Sequence, residues 1–262
     1  MKTACIQMDM LFEQPDENFE KASMLVAEAA GNGADVAVLP ETWNIGFFPR
    51  ENLAQLADRN GERTRTVFGK LAKDKGINIV AGSVACLKDD GIYNTCFVFN
   101  REGECIAEYD KTHLFTAMEE DLFFKKGDHT SMFELDGLKC GVIICYDIRF
   151  PELTRTMSVK GLDVLFVVSQ WPLMRAGHLE ALNKARAIEN QMFVVCCNSV
   201  GTAGDTIFGG NSSVHDPWGT VLSHASDRQE EIIYADFDAG MLKGIRESIN
   251  VVRDRRPELY EL

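Results

Sequence analysis

Three residues that are able to take part in covalent chemistry each follow a short buried-looking run of the chain. Cys145 closes the run "GVII", Glu41 follows "VLP", and Lys111 follows "EYD". Runs of this kind are typical of β-strands, and strand ends deliver side chains into the crevices where ligands collect. The thiol, the carboxylate and the ammonium group are therefore candidates for one shared pocket.

Together, these groups would suit attack on an electrophilic carbon. A thiol with a pKa of about 8.5 is a weak nucleophile until a base takes its proton, and a partly buried glutamate can accept and return that proton. A lysine ammonium can stabilise the oxyanion that forms. Taken singly, Cys145 also fits a core position, Glu41 a helix cap and Lys111 a surface charge. Periodicity alone does not prove that the three meet.

Strand and helix patterns alternate around these residues. Strands are predicted at 3–8, 35–40, 77–83, 93–100, 103–110, 131–135, 139–145, 163–169 and 192–198, and near 211–216, 219–224 and 230–237. Helical spacing of apolar residues predicts helices over 15–32, 62–75, 152–160 and 177–190. This order indicates an α/β fold with mixed sheets and outer helices. No linker or repeat interrupts it, so a single domain over 1–262 is the economical interpretation.

The composition is that of a globular enzyme and argues against several other classes. A net charge of −13 argues against nucleic-acid binding, which needs a basic face. No apolar run is long enough to predict a membrane segment, and the start "MKTACIQMDMLF" is typical of a strand rather than a signal peptide. The eight cysteines are too few in 262 residues for a disulfide scaffold and form no CxxC pair, which predicts reduced thiols in the cytoplasm. Five scattered histidines predict no metal site.

Three sequence blocks, in a fixed order along the chain, favour a shared catalytic site for the candidate residues. The blocks "VLPE", "YDKTHLF" and "ICYDIRFPE", supported by "SQWP", "KARAIENQMFVV" and "GNSSVHDPWG", resemble the signatures of the carbon–nitrogen hydrolases, or nitrilase superfamily. The resemblance covers essentially the whole chain. It implies an αββα four-layer sandwich, subunits paired as a homodimer or higher homo-oligomer, and no cofactor. It also implies a triad in which Glu41 is the general base and acid, Lys111 stabilises the oxyanion and Cys145 is the nucleophile.

The same family commonly has a second site glutamate after the lysine block. The segment "TAMEEDLFFKKGD" offers Glu119 and Glu120, and counting back from Gly127 favours Glu120. The turn before Gly127 lacks the proline that the family usually has there. Both glutamates also fit the alternative of solvated surface charges.

Within the family, the block "CYDIRFPE" resembles the omega-amidases, which release ammonia from the terminal amide of 2-oxoglutaramate. A small-molecule amide is therefore the expected substrate, and Arg149 is a candidate to hold its carboxylate, unless it pairs internally with Asp147 or Glu152. The other candidate pocket residues are Tyr146, Phe115, Trp171 and Arg175. The same triad would also serve a nitrilase, an N-carbamoyl amidohydrolase or a deaminated glutathione amidase. A catalytically silent binding module is the alternative outside the enzyme class.

Overall fold

The computed structural model describes residues 1–47 and 49–260. Its strands are β1 (Lys2–Gln7), β2 (Val36–Val38), β3 (Asp58–Arg59), β4 (Asn78–Val80), β5 (Val84–Lys88), β6 (Gly91–Phe99), β7 (Cys105–Asp110), β8 (Ser131–Leu135), β9 (Leu138–Ile144), β10 (Val164–Val168), β11 (Phe193–Cys197), β12 (Thr202–Ala203), β13 (Thr206–Ile207), β14 (Ser213–His215), β15 (Val221–His224) and β16 (Glu231–Asp236). Its α-helices are α1 (Pro15–Gly31), α2 (Leu53–Leu56), α3 (Glu62–Lys75), α4 (Pro151–Ser158), α5 (Ala176–Asn190) and α6 (Met241–Ser248).

Fourteen of the strands form two large mixed sheets. The first sheet has eight strands in the order β16-β1-β2-β4-β6-β5-β3, with β7 paired to the other side of β6. The second sheet has six strands in the order β15-β14-β11-β10-β9-β8. Parallel pairs occupy the centre of each sheet: β1 with β2 and β2 with β4 in the first, and β9 with β10 and β10 with β11 in the second. Strands buried on both faces explain the nearly continuous apolar runs of the sequence.

The two sheets pack face to face, and helices cover their outer faces. Alternate residues of β9 face two different layers of the core. Val142 and Ile144 belong to the core between the sheets, whereas Ile143 packs under helices α4 and α5. On the opposite side, Phe19 of α1 and Phe68 of α3 pack on the first sheet. The predicted αββα four-layer sandwich is therefore confirmed.

All four predicted helices are present, with ends within two residues of the expected positions. The predicted strands are also present, most of them shortened at their ends. Apart from the 3-10 turns, six elements were not predicted. Helix α2 is a single turn, α6 is short, β3, β12 and β13 have two residues each, and β5 begins directly after the predicted strand 77–83. No helix in the described ranges combines the length and the apolar character that crossing a membrane would require.

Gly82 lies between β4 and β5, and its backbone packs closely against the segment that follows β2. Its φ is +59°, and a Cβ on this residue would lie 2.0 Å from the carbonyl oxygen of Pro40. The next residue, Ser83, donates its backbone N–H to the same oxygen at 3.0 Å, and its Oγ accepts from the backbone N–H of Thr42 at 3.0 Å. These contacts fix the backbone on both sides of Glu41, and they require a residue without a side chain at position 82.

We expect Gly82→Ala to destabilise the protein by about 3 kcal/mol or more, because the new methyl group clashes with backbone in addition to the strain of positive φ. Gly76→Ala is the matched control, since Gly76 has a φ of +63° but no atom within 4 Å of its added Cβ. It should cost about 1 kcal/mol. Urea unfolding measures both. Equal losses for the two variants would show that the close approach to Pro40 is unimportant.

Candidate active site

A buried lysine lies between two carboxylates at strand ends of the first sheet. Lys111, just past β7, donates from Nζ to Glu41 at 2.8 Å and to both carboxylate oxygens of Glu120 at 2.8 and 2.9 Å. Glu41 comes three residues after β2, and Glu120 begins a single 3-10 turn. Each of the three residues is at most 4% exposed. The cluster therefore carries one surplus negative charge in a site with little access to water.

Asn94 on β6 joins the cluster, and the sequence analysis missed it. Its Nδ2 donates to Glu41 at 2.9 Å, while its backbone carbonyl accepts from the backbone N–H of Lys111 at 2.9 Å. Asn94 is completely buried. The one available signal was a polar residue inside the apolar run "YNTCFVFN", which marks a side chain that needs a buried partner.

The two neighbouring glutamates at 119 and 120 face different surroundings. Glu120 accepts from the backbone N–H of Phe115 at 2.7 Å in addition to its contact with Lys111. Glu119 is exposed, has a positive φ of 60°, and pairs with Arg50 at 2.7 Å. Of the two candidates, only Glu120 contacts the lysine.

Burial and the neighbouring charges shift the pKa of both predicted acid–base groups. Burial raises the pKa of Glu41 above its usual value, although Lys111 opposes the shift. Burial alone would lower the pKa of Lys111, but the carboxylates of Glu120 and Glu41 outweigh it and raise that pKa well above normal. Lys111 is therefore a permanent cation, and Glu41 is a carboxylate that accepts a proton more readily than an exposed glutamate.

Cys145 lies immediately after β9, where the strand turns into the 3-10 segment Cys145–Arg149. The predicted strand 139–145 thus ends one residue early. Cys145 has a φ of +50°, which is costly for a residue with a side chain and is maintained by the surrounding structure. Its side chain lies in the same pocket as Glu41 and Lys111. Burial and the Glu41 carboxylate raise the pKa of the thiol well above normal, with Lys111 opposing them, so the resting form is the protonated thiol.

One pocket, with an empty volume of about 530 Å³ that includes open solvent, contains all the predicted site residues. The structure brings together Glu41, Lys111, Glu120, Cys145, Tyr146, Arg149, Phe115, Trp171 and Arg175. Five further lining residues were not predicted: Thr42, Phe47, Met118, Gln170 and Pro172. Most of these lie on irregular segments, whose position no periodic pattern reveals.

Two guanidinium groups lie on aromatic rings of this pocket. The guanidinium of Arg149 lies 4.6 Å from the ring centre of Trp171, and that of Arg175 lies 5.0 Å from the ring centre of Phe115. Arg149 also donates to Nδ1 of His178 at 3.3 Å. Within the described residues neither arginine forms an ion pair, so the internal pairing of Arg149 with Asp147 or Glu152 does not occur. Both charges are therefore available to an anionic ligand.

Among residues 1–47 and 49–260, no group of three or more histidine, cysteine, aspartate or glutamate side chains is arranged to hold a metal ion.

A sequence model of a protein family, described as carbon-nitrogen hydrolase, matches residues 2–247. The chain belongs to the carbon–nitrogen hydrolase family. The predicted resemblance is thereby confirmed, as is the prediction of an enzyme.

Individual carbon–nitrogen hydrolases are similar to this chain over most of its length. A 2-oxoglutaramate amidase of Bacillus subtilis is 45% identical over 98% of both chains. An omega-amidase of Danio rerio is 35% identical over 94% of this chain and 91% of its own. The crystal structure of Nit3 from Saccharomyces cerevisiae, a member of branch 10 of the nitrilase superfamily, superposes with a TM-score of 0.90. It is 27% identical and covers 98% of this chain and 96% of that one.

We expect Lys111→Met to destabilise the hydrolase by about 3–5 kcal/mol at pH 8, because two buried carboxylates lose their cation. Without the lysine, burial raises the folded-state pKa of the Glu41 carboxyl further above its unfolded value. The penalty therefore grows as pH rises from the unfolded pKa to the folded pKa, is complete above the folded pKa, and shrinks as pH falls towards 5. Urea unfolding at pH 8 and pH 5 measures both effects.

Lys88→Met is the control for this substitution. Lys88 also contacts two carboxylates, of which Glu108 remains 35% exposed and has Arg65 as a second ion-pair partner. Asp110 is buried but keeps a hydrogen bond from the Thr95 hydroxyl at 2.6 Å. Since both carboxylates keep other partners, we expect a smaller loss that varies less with pH. A loss for Lys111→Met that is no larger than this, or no smaller at pH 5, would contradict the buried-charge account.

Proposed function

We propose that this hydrolase is an amidase that converts a terminal carboxamide to an acid and ammonia through a thioester on Cys145. The observation that carries the proposal is the composition of the pocket. It combines the thiol, the buried Glu41–Lys111–Glu120 cluster and two arginines without carboxylate partners. The similarity to a 2-oxoglutaramate amidase and an omega-amidase supports it.

In the first half-reaction, Sγ of Cys145 attacks the amide carbon while the Glu41 carboxylate takes the thiol proton. The raised pKa values of both groups suit this order, because the proton leaves sulfur only as the new bond forms. The ammonium of Lys111 stabilises the tetrahedral oxyanion, and Glu120 holds that ammonium in place. The carbon–nitrogen bond then breaks, and protonated Glu41 gives its proton to the departing amine, which leaves as ammonia.

In the second half-reaction, water replaces ammonia. Glu41, again a carboxylate, takes a proton from water as the oxygen attacks the thioester carbon, and Lys111 stabilises the second oxyanion. The carbon–sulfur bond breaks, the acid is released, and Glu41 returns its proton to the sulfur of Cys145. Neither half-reaction calls for a cofactor or a metal.

We propose that the substrate carries a carboxylate at the end remote from the amide, as 2-oxoglutaramate does. Glu41, Glu120 and Lys111 together have one surplus negative charge, which disfavours a substrate carboxylate near Cys145. Arg149 and Arg175 supply two positive charges elsewhere in the pocket, where their flat faces already lie on aromatic rings. A carboxylate held there, by bidentate hydrogen bonds, would direct the neutral amide towards the thiol.

The same triad would also serve three alternative activities: those of a nitrilase, an N-carbamoyl amidohydrolase and a deaminated glutathione amidase.

We further propose that the chain forms a homodimer or higher homo-oligomer. The exposed apolar side chains of Ile188 and Trp218 support this, because Ile188 lies beside Gly219, the residue after Trp218, and neighbouring exposed apolar residues are typical of interfaces. A cytoplasmic location is proposed from the free state of all eight cysteines.

Product release should be fastest from 2-oxoglutaramate when it is compared with glutamine, an aliphatic nitrile, an N-carbamoyl amino acid and deaminated glutathione. The product measured is ammonia for the first four compounds and cysteinylglycine for deaminated glutathione. Cys145→Ala should lower the rate on 2-oxoglutaramate about 10³-fold or more, because no second thiol lines the pocket among the described residues. Cys105→Ala is the control, since Cys105 is also only half-buried but lies outside the pocket. It should keep the wild-type rate.

Each result has a separate meaning for the proposal. Cys145-dependent turnover of another compound in the panel would retain the thioester mechanism and refute the substrate. Release of ammonia that persists in Cys145→Ala would refute the nucleophile. No turnover of any of the five compounds would refute the proposed amidase.

Arg149→Gln and Arg175→Gln should each raise KM for 2-oxoglutaramate about 10- to 100-fold, which corresponds to losing a charge-assisted hydrogen bond. For an uncharged aliphatic amide, kcat/KM should change by less than about threefold, because no carboxylate is involved. Arg50→Gln is the control, as Arg50 already pairs with Glu119 at the surface. Steady-state kinetics on both amides make the comparison. Equal effects on the charged and the uncharged amide would contradict a carboxylate site.

A further inference from the structure

Another buried carboxylate, separate from Glu41 and Glu120, lies on the same 3-10 segment as the proposed nucleophile. Asp147 is completely buried and follows Cys145 by two residues. Its Oδ2 accepts from the hydroxyl of Tyr109 at 2.8 Å and from the backbone N–H of Ile144 at 3.0 Å. Its Oδ1 lies within 3.1 Å of the Thr112 hydroxyl and of two His113 nitrogens, the backbone N–H and Nδ1. None of these atoms belongs to the Glu41–Lys111–Glu120 cluster.

The partners of Asp147 come from the two segments that carry the proposed reactive groups. Tyr109 and Thr112 flank Lys111 in the chain that leaves the first sheet, whereas Ile144 is the last residue of β9 in the second sheet. The carboxylate thus connects the lysine segment to the thiol segment across the space between the sheets. The hydrogen bonds described above for this carboxylate all come from these two segments.

The turn that carries Cys145 is also fixed from its other side. Arg186 of α5 is 5% exposed and donates from Nη2 to the carbonyl oxygen of Ile148 at 2.7 Å. A buried anion and a buried cation therefore hold successive residues of one short 3-10 segment. This double restraint is what allows Cys145 to keep a φ of +50°. Of the two restraints, only Asp147 also reaches the segment of Lys111.

We propose that Asp147 is a positioning residue that sets the placement of the Cys145 thiol relative to Lys111. It acts through Ile144 and its own backbone on one side and through Tyr109, Thr112 and His113 on the other. The inference rests on the proposed function, because it takes Cys145 and Lys111 as the reacting pair. Fixing such a pair to within a fraction of an ångström is what preorganised catalysis requires.

Asp147→Asn tests this with almost no change in shape. An amide nitrogen cannot accept from the hydroxyl and N–H donors that now face the carboxylate, so the two segments should separate slightly. We expect kcat on 2-oxoglutaramate to fall about 100-fold or more while KM changes less than about threefold. A variant that remains folded with kcat within threefold of wild type would overturn the proposal.

Asp58→Asn is the matched control for a merely structural role. Asp58 is also buried, and its carboxylate accepts from the backbone N–H groups of Arg63 and Thr64 and from the Thr64 hydroxyl at the start of α3. It should lower thermal stability but keep kcat within twofold. An equal loss of kcat in Asp58→Asn would show that general destabilisation explains both variants, and would overturn the proposal.

Tyr109→Phe covers the case in which Asp147→Asn does not fold. It removes one donor to Asp147 and keeps the buried ring. We expect kcat to fall about 3- to 10-fold at unchanged KM, because one of several restraints is lost. An unchanged kcat in this variant would count against the proposal.

Labelling of Cys145 with iodoacetamide, followed by mass spectrometry, separates this proposal from the proposed function. In wild type, Glu41 takes the thiol proton, so labelling should persist at pH 6.5. In Asp147→Asn the thiol is displaced from Glu41 and Lys111, so its proton must go to hydroxide instead, and the ratio of the labelling rate at pH 6.5 to the rate at pH 8.5 should fall at least tenfold. An unchanged ratio would overturn the positioning role. A changed ratio in an enzyme that hydrolyses no amide would refute the proposed function alone.

Discussion

The charge cluster of Lys111 with Glu41 and Glu120 is the constraint on which the rest of the site depends. Two carboxylates and one ammonium group are nearly free of water, so each charge needs its partners at hydrogen-bond distance. The three residues come from three separate segments after β2, after β7 and in a 3-10 turn. Only a rigid pair of sheets can bring such segments together, and the sandwich provides them with almost no freedom to move apart.

The cluster also explains why the thiol can remain protonated in its resting form. A lone lysine would favour the thiolate, but the neighbouring Glu41 carboxylate and burial oppose it and raise the thiol pKa. In the proposed mechanism, the proton therefore passes from sulfur to the carboxylate only during the reaction. A resting thiol of this kind is less exposed to oxidation and to wasteful alkylation than a free thiolate would be.

Much of the fold and the central part of the site could be predicted from the sequence. Four of the helices followed from apolar spacing. Glu41, Lys111 and Cys145 became candidates because each ends or follows a strand-like run, and the resemblance of three sequence blocks to the carbon–nitrogen hydrolases joined them into one site. Asn94 was missed because one polar residue in a strand does not reveal its partner, which depends on sheet order. The lining residues Met118 and Gln170 lie on irregular segments, so no periodic signal places them. Counting back from Gly127 favoured Glu120 over Glu119 as the buried glutamate. The backbone conformation that separates the two, a positive φ at Glu119, is not specified by local spacing.

Arg175 lies on a segment different from those that carry Glu41, Lys111 and Cys145, whereas Arg149 shares the 3-10 segment of Cys145. Arg175 is the last residue of the 3-10 turn Leu173–Arg175, on the connection between β10 and α5. Such surface connections accept insertions and substitutions that the interior of a sheet does not. In evolutionary terms, one part of the enzyme is free to diversify while another is held constant. New substrates can then be acquired by descendants that inherit the bond-breaking apparatus unchanged.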